Sequence, residues 1–276
     1  MHKQTISACL VIYNEEKVLE QCLKSIKPVV NEIIIVHDGK CTDKSLQIAK
    51  IYGARIFIRK HIGEAKYHRP FAFKKATGDW ILHIDGDEYL SDEAAEEIPN
   101  LVKSNKYSAY AFRWPFKISD NTYFTKGIFS RMLRTCLYYK KDLYMIGITH
   151  QHPGTYGKIC KRPDLTIWHD HDLLGKKIKS GELLRWPKIQ ARQYLNYDRM
   201  PTYNIEKEPQ IYTMFRNRVK YPVFFFIIDI SRDILFHLKR GLFLSGFRSI
   251  KYAFLGYSRI IFFYYYLIKY KHGTKN

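Results

Sequence analysis

The chain has 276 residues, enough for one large core or for one core with a smaller appended region. Hydrophobic residues make up 46% and charged residues 26%, which excludes wholesale disorder. A formal net charge of +20 implies an anionic partner: nucleic acid, a phosphorylated small molecule or an anionic membrane face.

The first apolar run, "ISACLVIY" (6–13), is partly β-branched and reads as a strand. Charge follows it so closely that the N-terminal stretch is a first strand and not a signal peptide. In "NEEKVLEQCLKSI" (14–26), Val18, Leu19, Cys22, Leu23 and Ile26 recur at helical spacing, with Asn14 as the N-cap. "EIIIVHD" (32–38) is a second strand, and "GKC" turns the chain into a helix over 42–52 capped by Thr42. A short strand "ARIFI" (54–58), a helix over 63–76 and the strand "WILHI" (80–84) follow. Strand and helix alternating at this period predict an α/β fold, a mostly parallel sheet with helices on both faces.

Beyond it come a helix over 92–102 and two strand-like segments, "YSAYAFRW" (107–114) and "GIFSRMLRT" (127–135). The Gly-, His- and Pro-rich stretch 140–180 reads as loops over the sheet. From about 181 the pattern is helical again. The five cysteines (Cys9, Cys22, Cys41, Cys136, Cys160) are scattered without CxxC or CxxH spacing. That argues against a disulfide framework or a zinc site and fits a reducing compartment.

Ligands of parallel sheets bind beyond the carboxyl ends of the strands. Those ends carry Tyr13–Glu16, Asp38 and Asp85–Glu88. In "ATGDWILHIDGDEYL" (76–90), Asp85 and Asp87 are separated by one residue, so both can face one cation or a ribose. Gly86 between them lets backbone approach a ligand closely. Oxygen ligands suit Mg²⁺ or Mn²⁺, and Mg²⁺ is commonly shared between one or two carboxylates and substrate phosphates. Asp38 is a partner for a nucleobase N–H or ribose hydroxyl, or else a turn aspartate. Tyr13 either stacks on a base or is one more strand-end aromatic. Arg69 pairs with a diphosphate or balances Asp85 and Asp87.

The ordered series "VIYNEE", "IVHDGKCTDKS" and "HRPFAFKKATGDWILHIDGDE" resembles the inverting family 2 glycosyltransferases of GT-A fold, over roughly residues 5 to 95. It looks most like the bacterial branch that builds lipopolysaccharide core or capsule. The resemblance implies a nucleotide pocket on Val11, Tyr13 and Glu15, with Asp38 near the base and Arg69 ahead of the acidic motif. It implies Asp85 on the ribose or metal, Asp87 as the main metal ligand and Glu88 as the motif's third acid. The donor it implies is a nucleoside-diphosphate sugar, with uridine as the family's usual nucleoside. The acceptor is lipid-linked or a polysaccharide.

An inverting transfer needs a general base for the acceptor hydroxyl. Similar proteins carry "G-x-V-H-E", whereas this chain has "YMIGITHQHPG", with Gln151 where the acid would stand. An amide is no base near neutral pH. Asp170 and Asp172 in "IWHDHDLL" are the nearest substitutes. Pro70 also replaces an Asn common after the Arg. Of His150, His152, His169 and His171, either His150 or His169 is the expected additional metal ligand.

Residues 1–200 are assigned to the catalytic domain (nucleotide half about 1–100, acceptor half about 101–200) and 201–276 to a basic, aromatic helical region. The latter has 13 Lys/Arg against four Asp/Glu. "YPVFFFIIDISRDILFHLKRGLFLSGF" and "YAFLGYSRIIFFYYYLIKYK" mix apolar faces with cations, as in helices lying in an anionic membrane interface. For the first, packing on the catalytic domain or a homodimer contact is an equal alternative; for the second the membrane is favoured. Neither can span a bilayer. The expected location is cytoplasmic, peripheral at the inner face of the membrane. Nucleic acid is not expected, because no recognition motif is present and the aromatics sit in apolar blocks. A catalytically silent nucleotide-sugar-binding protein on the same scaffold is the alternative kept open by Gln151. A nucleotidyltransferase fits less well, because "YNEEKVLE" puts acids where a phosphate loop would be basic.

Overall fold

The computed structural model describes residues 4–104, 106–115, 117–119, 122–123, 132–169, 182–205, 209–239 and 246–273. Strands β1 (Ile6–Ile12), β2 (Glu32–Asp38), β3 (Arg55–Arg59) and β4 (Trp80–His83) form the expected parallel set, in the order β3-β2-β1-β4. Side chains of β1 alternate between two cores. Ile6, Ala8, Leu10 and Ile12 pack against α1 (Leu19–Ile26), α2 (Ser45–Ile51) and α4 (Asp92–Leu101). Cys9 and Val11 pack on the other face against Ala72, Phe73 and Ala76 at α3 (Ala65–Lys75). Burial on both faces is why these strands read as nearly continuous apolar runs.

The helix starts differ from the sequence reading. Asn14 takes a left-handed φ of 52° and does not begin α1. Its side-chain amide instead donates to Thr42 Oγ1 (2.8 Å), and the Thr42 N–H donates to Asn14 Oδ1 (3.0 Å). Both residues are therefore spent joining two loops, and neither caps a helix. At α3 the Glu64 side chain accepts from the Lys66 N–H (2.9 Å), and at α4 Ser91 accepts from Ala94 (3.2 Å).

The sheet continues past β4 with β5 (Glu88–Leu90), β6 (Ala109–Arg113), β9 (Leu133–Tyr139) and β12 (Ile159–His169), giving the order β3-β2-β1-β4-β9-β6-β12-β5. Here β9 runs antiparallel to β4 and β6, and β12 is parallel to β6 but antiparallel to β5. A hairpin pairs β7 (Lys117–Ser119) with β8 (Thr122–Tyr123). A small antiparallel sheet joins β10 (Leu143–Ile146) with β11 (Gly154–Thr155) and β13 (Thr202–Tyr203). The stretch read as loops thus contains three strands, one of them long. Its Pro163 lies at the register break between Arg162 and Thr166, where no ladder N–H is needed.

The C-terminal part holds α5 (Glu182–Leu195), α6 (Pro209–Lys220), α7 (Pro222–Lys239) and α8 (Gly246–Gly273). A third core gathers Ile146 and Ile148 with Ala191, Tyr194, Phe215, Phe263, Tyr264 and Leu267. The aromatic run of α8, expected at a membrane, thus supplies core side chains to α5 and α7. Among the described residues no helix is long and apolar enough to cross a membrane.

Candidate active site

Strand polarity decides which side chains meet. The exit ends of β1, β2, β4, β6 and β12 share one edge of the sheet, and the entry end of antiparallel β9 lies on that same edge. Arg134 near the start of β9 is thereby brought to the acidic turn that follows β4.

Asp85 ion-pairs with Arg69 of α3, and Arg134 Nη2 lies 3.4 Å from its other oxygen. Burial alone would raise the Asp85 carboxyl, but Arg69 and Arg134 outweigh it and hold it well below the usual carboxylate range. Glu88 is buried and fully engaged. Arg134 pairs with it, Trp114 Nε1 donates to its Oε1 (2.7 Å), and the Asp85 N–H donates to its Oε2 (2.8 Å). Asp87 sits higher in the turn, with 26% of its side chain exposed, and its Oδ2 is 3.4 Å from His169 Nε2. The His169 ring stacks on Trp114 at 5.0 Å. Two expected residues, Asp87 and His169, therefore share one place.

Beneath the turn lies Glu15, whose buried Oε2 has no hydrogen-bond partner among the described residues. A Cβ on Gly86 would collide with that oxygen and press on Ile12, so glycine here serves close approach rather than a special φ, and any larger residue displaces the Glu15 side chain. Burial, and then the charges of Asp87 and Asp85, push the Glu15 carboxyl up to about 8. Lys66 stands on the same side as Arg69. Burial and the repulsion of Arg69 draw it down to about 7.

The wall on the β1–β2 side is aromatic. Tyr13 is 48% exposed and faces His61, with ring centroids 4.7 Å apart, and His37 at 5.8 Å. Asp38 is buried and accepts from the N–H groups of Ile62 (2.6 Å) and Gly63 (2.7 Å) and from His68 Nε2 (3.0 Å). Burial would raise its pKa, and these donors lower it instead. Its geometry is that of a brace for the turn at 61–63, which carries the His61 ring. Val11 points into the core beneath α3.

The loop after β10 closes the far side. Thr149 Oγ1 donates to Glu64 Oε2 (2.7 Å), tying this loop to the start of α3. Desolvation, and then the charges of Lys66, Arg134 and Arg69, lower the pKa of His152, although its side chain remains exposed at the surface. His150, with a left-handed φ of 63°, lies edge-on to Trp186 of α5. The Gln151 amide donates to the Tyr194 hydroxyl (3.2 Å). Asp170 and Asp172 lie outside the described residues.

Sequence reasoning did not single out Arg134, Lys66, His61 or Trp114. The first two are cations in ordinary spacings, and only the strand order brings Arg134 to the turn. A separate cavity of about 520 Å³, lined by Asp79, Lys140, Lys141 and Tyr203 among others, lies at the opposite edge by the start of β4. Among the described residues no three His, Cys, Asp or Glu side chains form a metal cage. Asp85 is engaged by Arg69 and Arg134, which leaves the partly exposed Asp87 carboxylate as the oxygen donor of the turn that suits a hard cation.

Residues 7–162 match the model of glycosyl transferase family 2, more than half of the chain, and the chain belongs to that family. Uncharacterised glycosyltransferases of Rickettsia typhi (33% identical over 105 residues) and Rickettsia bellii (35% over 111 residues) are similar to it. These matches cover 38% and 39% of this chain, and the chain spans only 35% and 37% of those two relatives. Among solved structures, S. aureus TarS 1–349 in complex with UDP-GlcNAc aligns over 98% of this chain and 92% of its own, with 16% identity and a TM-score of 0.48.

Proposed function

We propose that the protein transfers one sugar, with inversion, from a nucleoside-diphosphate sugar to a lipid-linked or polysaccharide acceptor in cell-envelope glycan assembly. The observation that carries this reading is the convergence of Arg69 and Arg134 on the Asp85-Gly86-Asp87 turn at the exit of β4. Leaving-group departure builds negative charge on a diphosphate, and cations already fixed at that point stabilise it without reorganising. The donor's base lies on the Tyr13–His61 wall, and the family's usual nucleoside makes the donor a uridine-diphosphate sugar. Asp85, held by two arginines, orients the ribose side.

Asp87, with His169 beside it, would hold Mg²⁺ or Mn²⁺. Bound there, the ion supplies Lewis-acid stabilisation of the diphosphate. Glu88 acts on the turn by fixing the Asp85 N–H and Arg134. Asp170, next in the chain after His169, is the preferred general base, with Asp172 as the alternative. The protein works at the inner face of the cytoplasmic membrane, with residues 1–200 as the catalytic domain and 201–276 as the region that attaches it.

Asp87→Asn tests the assignment. Metal-dependent donor turnover should be abolished, and equal transfer by mutant and wild type overturns it. The one feature favouring a silent binding protein is Gln151 in the place of an acid. Nucleotide binding by calorimetry without transfer or donor hydrolysis would establish that second reading.

A further inference from the structure

We infer that the outward face of α7 is the surface by which the protein docks on an anionic lipid bilayer. This deepens the membrane-associated reading above by naming the element that inserts. Val223, Phe224, Ile227, Ile228, Leu235 and Leu238 are between 38% and 61% exposed. From Phe224 onward they recur in the three- and four-residue steps that line one side of a helix, here 18 residues long.

The distribution of charge identifies the occupant. The two acids of α7 are turned inward. Asp229 accepts from Arg218 Nη2 (3.0 Å) and from the Tyr264 hydroxyl (2.6 Å). Asp233 lies between His237 and Gly256 of α8. Exposed cations mark the rim instead: Lys220 beside the half-exposed Tyr221 before the helix and Lys239 at its end, with Arg232 between them reaching back to Asp229 (3.0 Å). An apolar stripe edged by cations and free of acids matches a helix lying in the plane of a headgroup layer. The lysine stems add apolar surface while their ammonium groups reach lipid phosphates.

A second copy of the chain suits this face less well. Two-fold pairing would set the same cations against each other in a chain of net charge +20, whereas lipid phosphates neutralise them. On α8, Phe263, Tyr264 and Leu267 are buried in the helical core, whereas Phe254, Ile261 and Tyr265 remain exposed.

The test is co-sedimentation of the whole chain with phosphatidylglycerol–phosphatidylcholine vesicles and with phosphatidylcholine vesicles, without donor or acceptor. Partition onto the anionic vesicles should exceed that onto the neutral ones by about tenfold or more and fall with salt. The triple variant Phe224→Ser, Ile227→Ser, Leu235→Ser should lose about tenfold in partition. Lys220→Glu with Lys239→Glu should lose a similar factor, and both variants should keep their unfolding midpoint and any nucleotide-induced shift. Failure of wild type to bind anionic vesicles, or equal binding by the triple variant, overturns the inference. So does a wild-type dimer in sedimentation that the triple variant converts to monomer, since a second copy then covers the face. None of these results touches the sugar-transfer reading, which is measured on a separate assay.

Discussion

Arg134, near the entry of β9, pairs with Glu88, at the entry of β5, and the pair is buried. The same guanidinium stands over the Trp114 ring at 5.5 Å and reaches Asp85. One arginine thus fixes both ends of the turn that carries Asp87. Truncation to Arg134→Ala leaves Glu88 buried without its cation, and the expected loss is about 3–5 kcal/mol in denaturant unfolding. A loss under about 1 kcal/mol would show that the pair does not hold the turn.

The exposed Tyr13 ring against His61 predicts a stacking platform for the donor's base. Tyr13→Ala should weaken UDP binding in calorimetry by about tenfold, in line with roughly 1–3 kcal/mol for a base on an aromatic ring. Tyr13→Phe should bind as wild type. Equal affinity in all three proteins would remove the base from this wall.

Gly86 and Glu15 are coupled by contact. Gly86→Ala drives a methyl group into the Glu15 carboxyl and against Ile12, so both stability and transfer should fall. Glu15→Ala opens that space. The double variant should therefore lose less stability than the two single losses summed, by about 1 kcal/mol in a double-mutant cycle. Simple additivity would mean that the collision is absorbed elsewhere.

The parallel half of the sheet was legible because its strands are buried on both faces and its helices show apolar spacing. The acidic turn was legible too, since its place at a strand exit follows from that alternation. What escaped was non-local. Nothing in "SRMLRT" says that β9 inserts antiparallel beside β4, so Arg134 could not be matched to Asp85. Pro163 and the polar residues at the start of β12 disguised a long strand as loop. Asn14 and Thr42 are good capping residues, but each found the other across two loops, a tertiary bond that overrides local preference. The fate of the tail was ambiguous because a helix face that packs in a core and one that meets lipid have the same composition.

Glu32 gives a pH signature far from the site. Burial would raise its carboxyl, but bonds from the Ser7 hydroxyl, the Thr77 N–H and hydroxyl, and Arg55 bring it down to about 2. A carboxyl depressed in the folded state stabilises at pH above its unfolded value and loses that contribution as pH falls towards 2. Allowing for solvent screening, about 1–2 kcal/mol should disappear between roughly pH 5 and 2. Glu32→Gln should be less stable than wild type at neutral pH and show a flatter acid limb. Parallel acid limbs would contradict the linkage.

The general base is the part of the proposal on which sequence and structure bear most unevenly. Gln151 stands where the family resemblance implies an acid, and its amide is engaged with the Tyr194 hydroxyl. Asp170 follows His169 in the sequence, and the His169 imidazole is 3.4 Å from Asp87. A base removed by substitution costs about 10²–10⁴ in rate while leaving the ground-state complex intact. Asp170→Asn should therefore lower kcat by that factor with donor affinity unchanged, and Asp172→Asn should be milder. Gln151→Glu should fold, because the Tyr194 hydroxyl can donate to a carboxylate as readily as it accepts from an amide. If Asp170→Asn turns over normally and Gln151→Glu gains rate, the base belongs to the loop after β10 and the natural chain works without it.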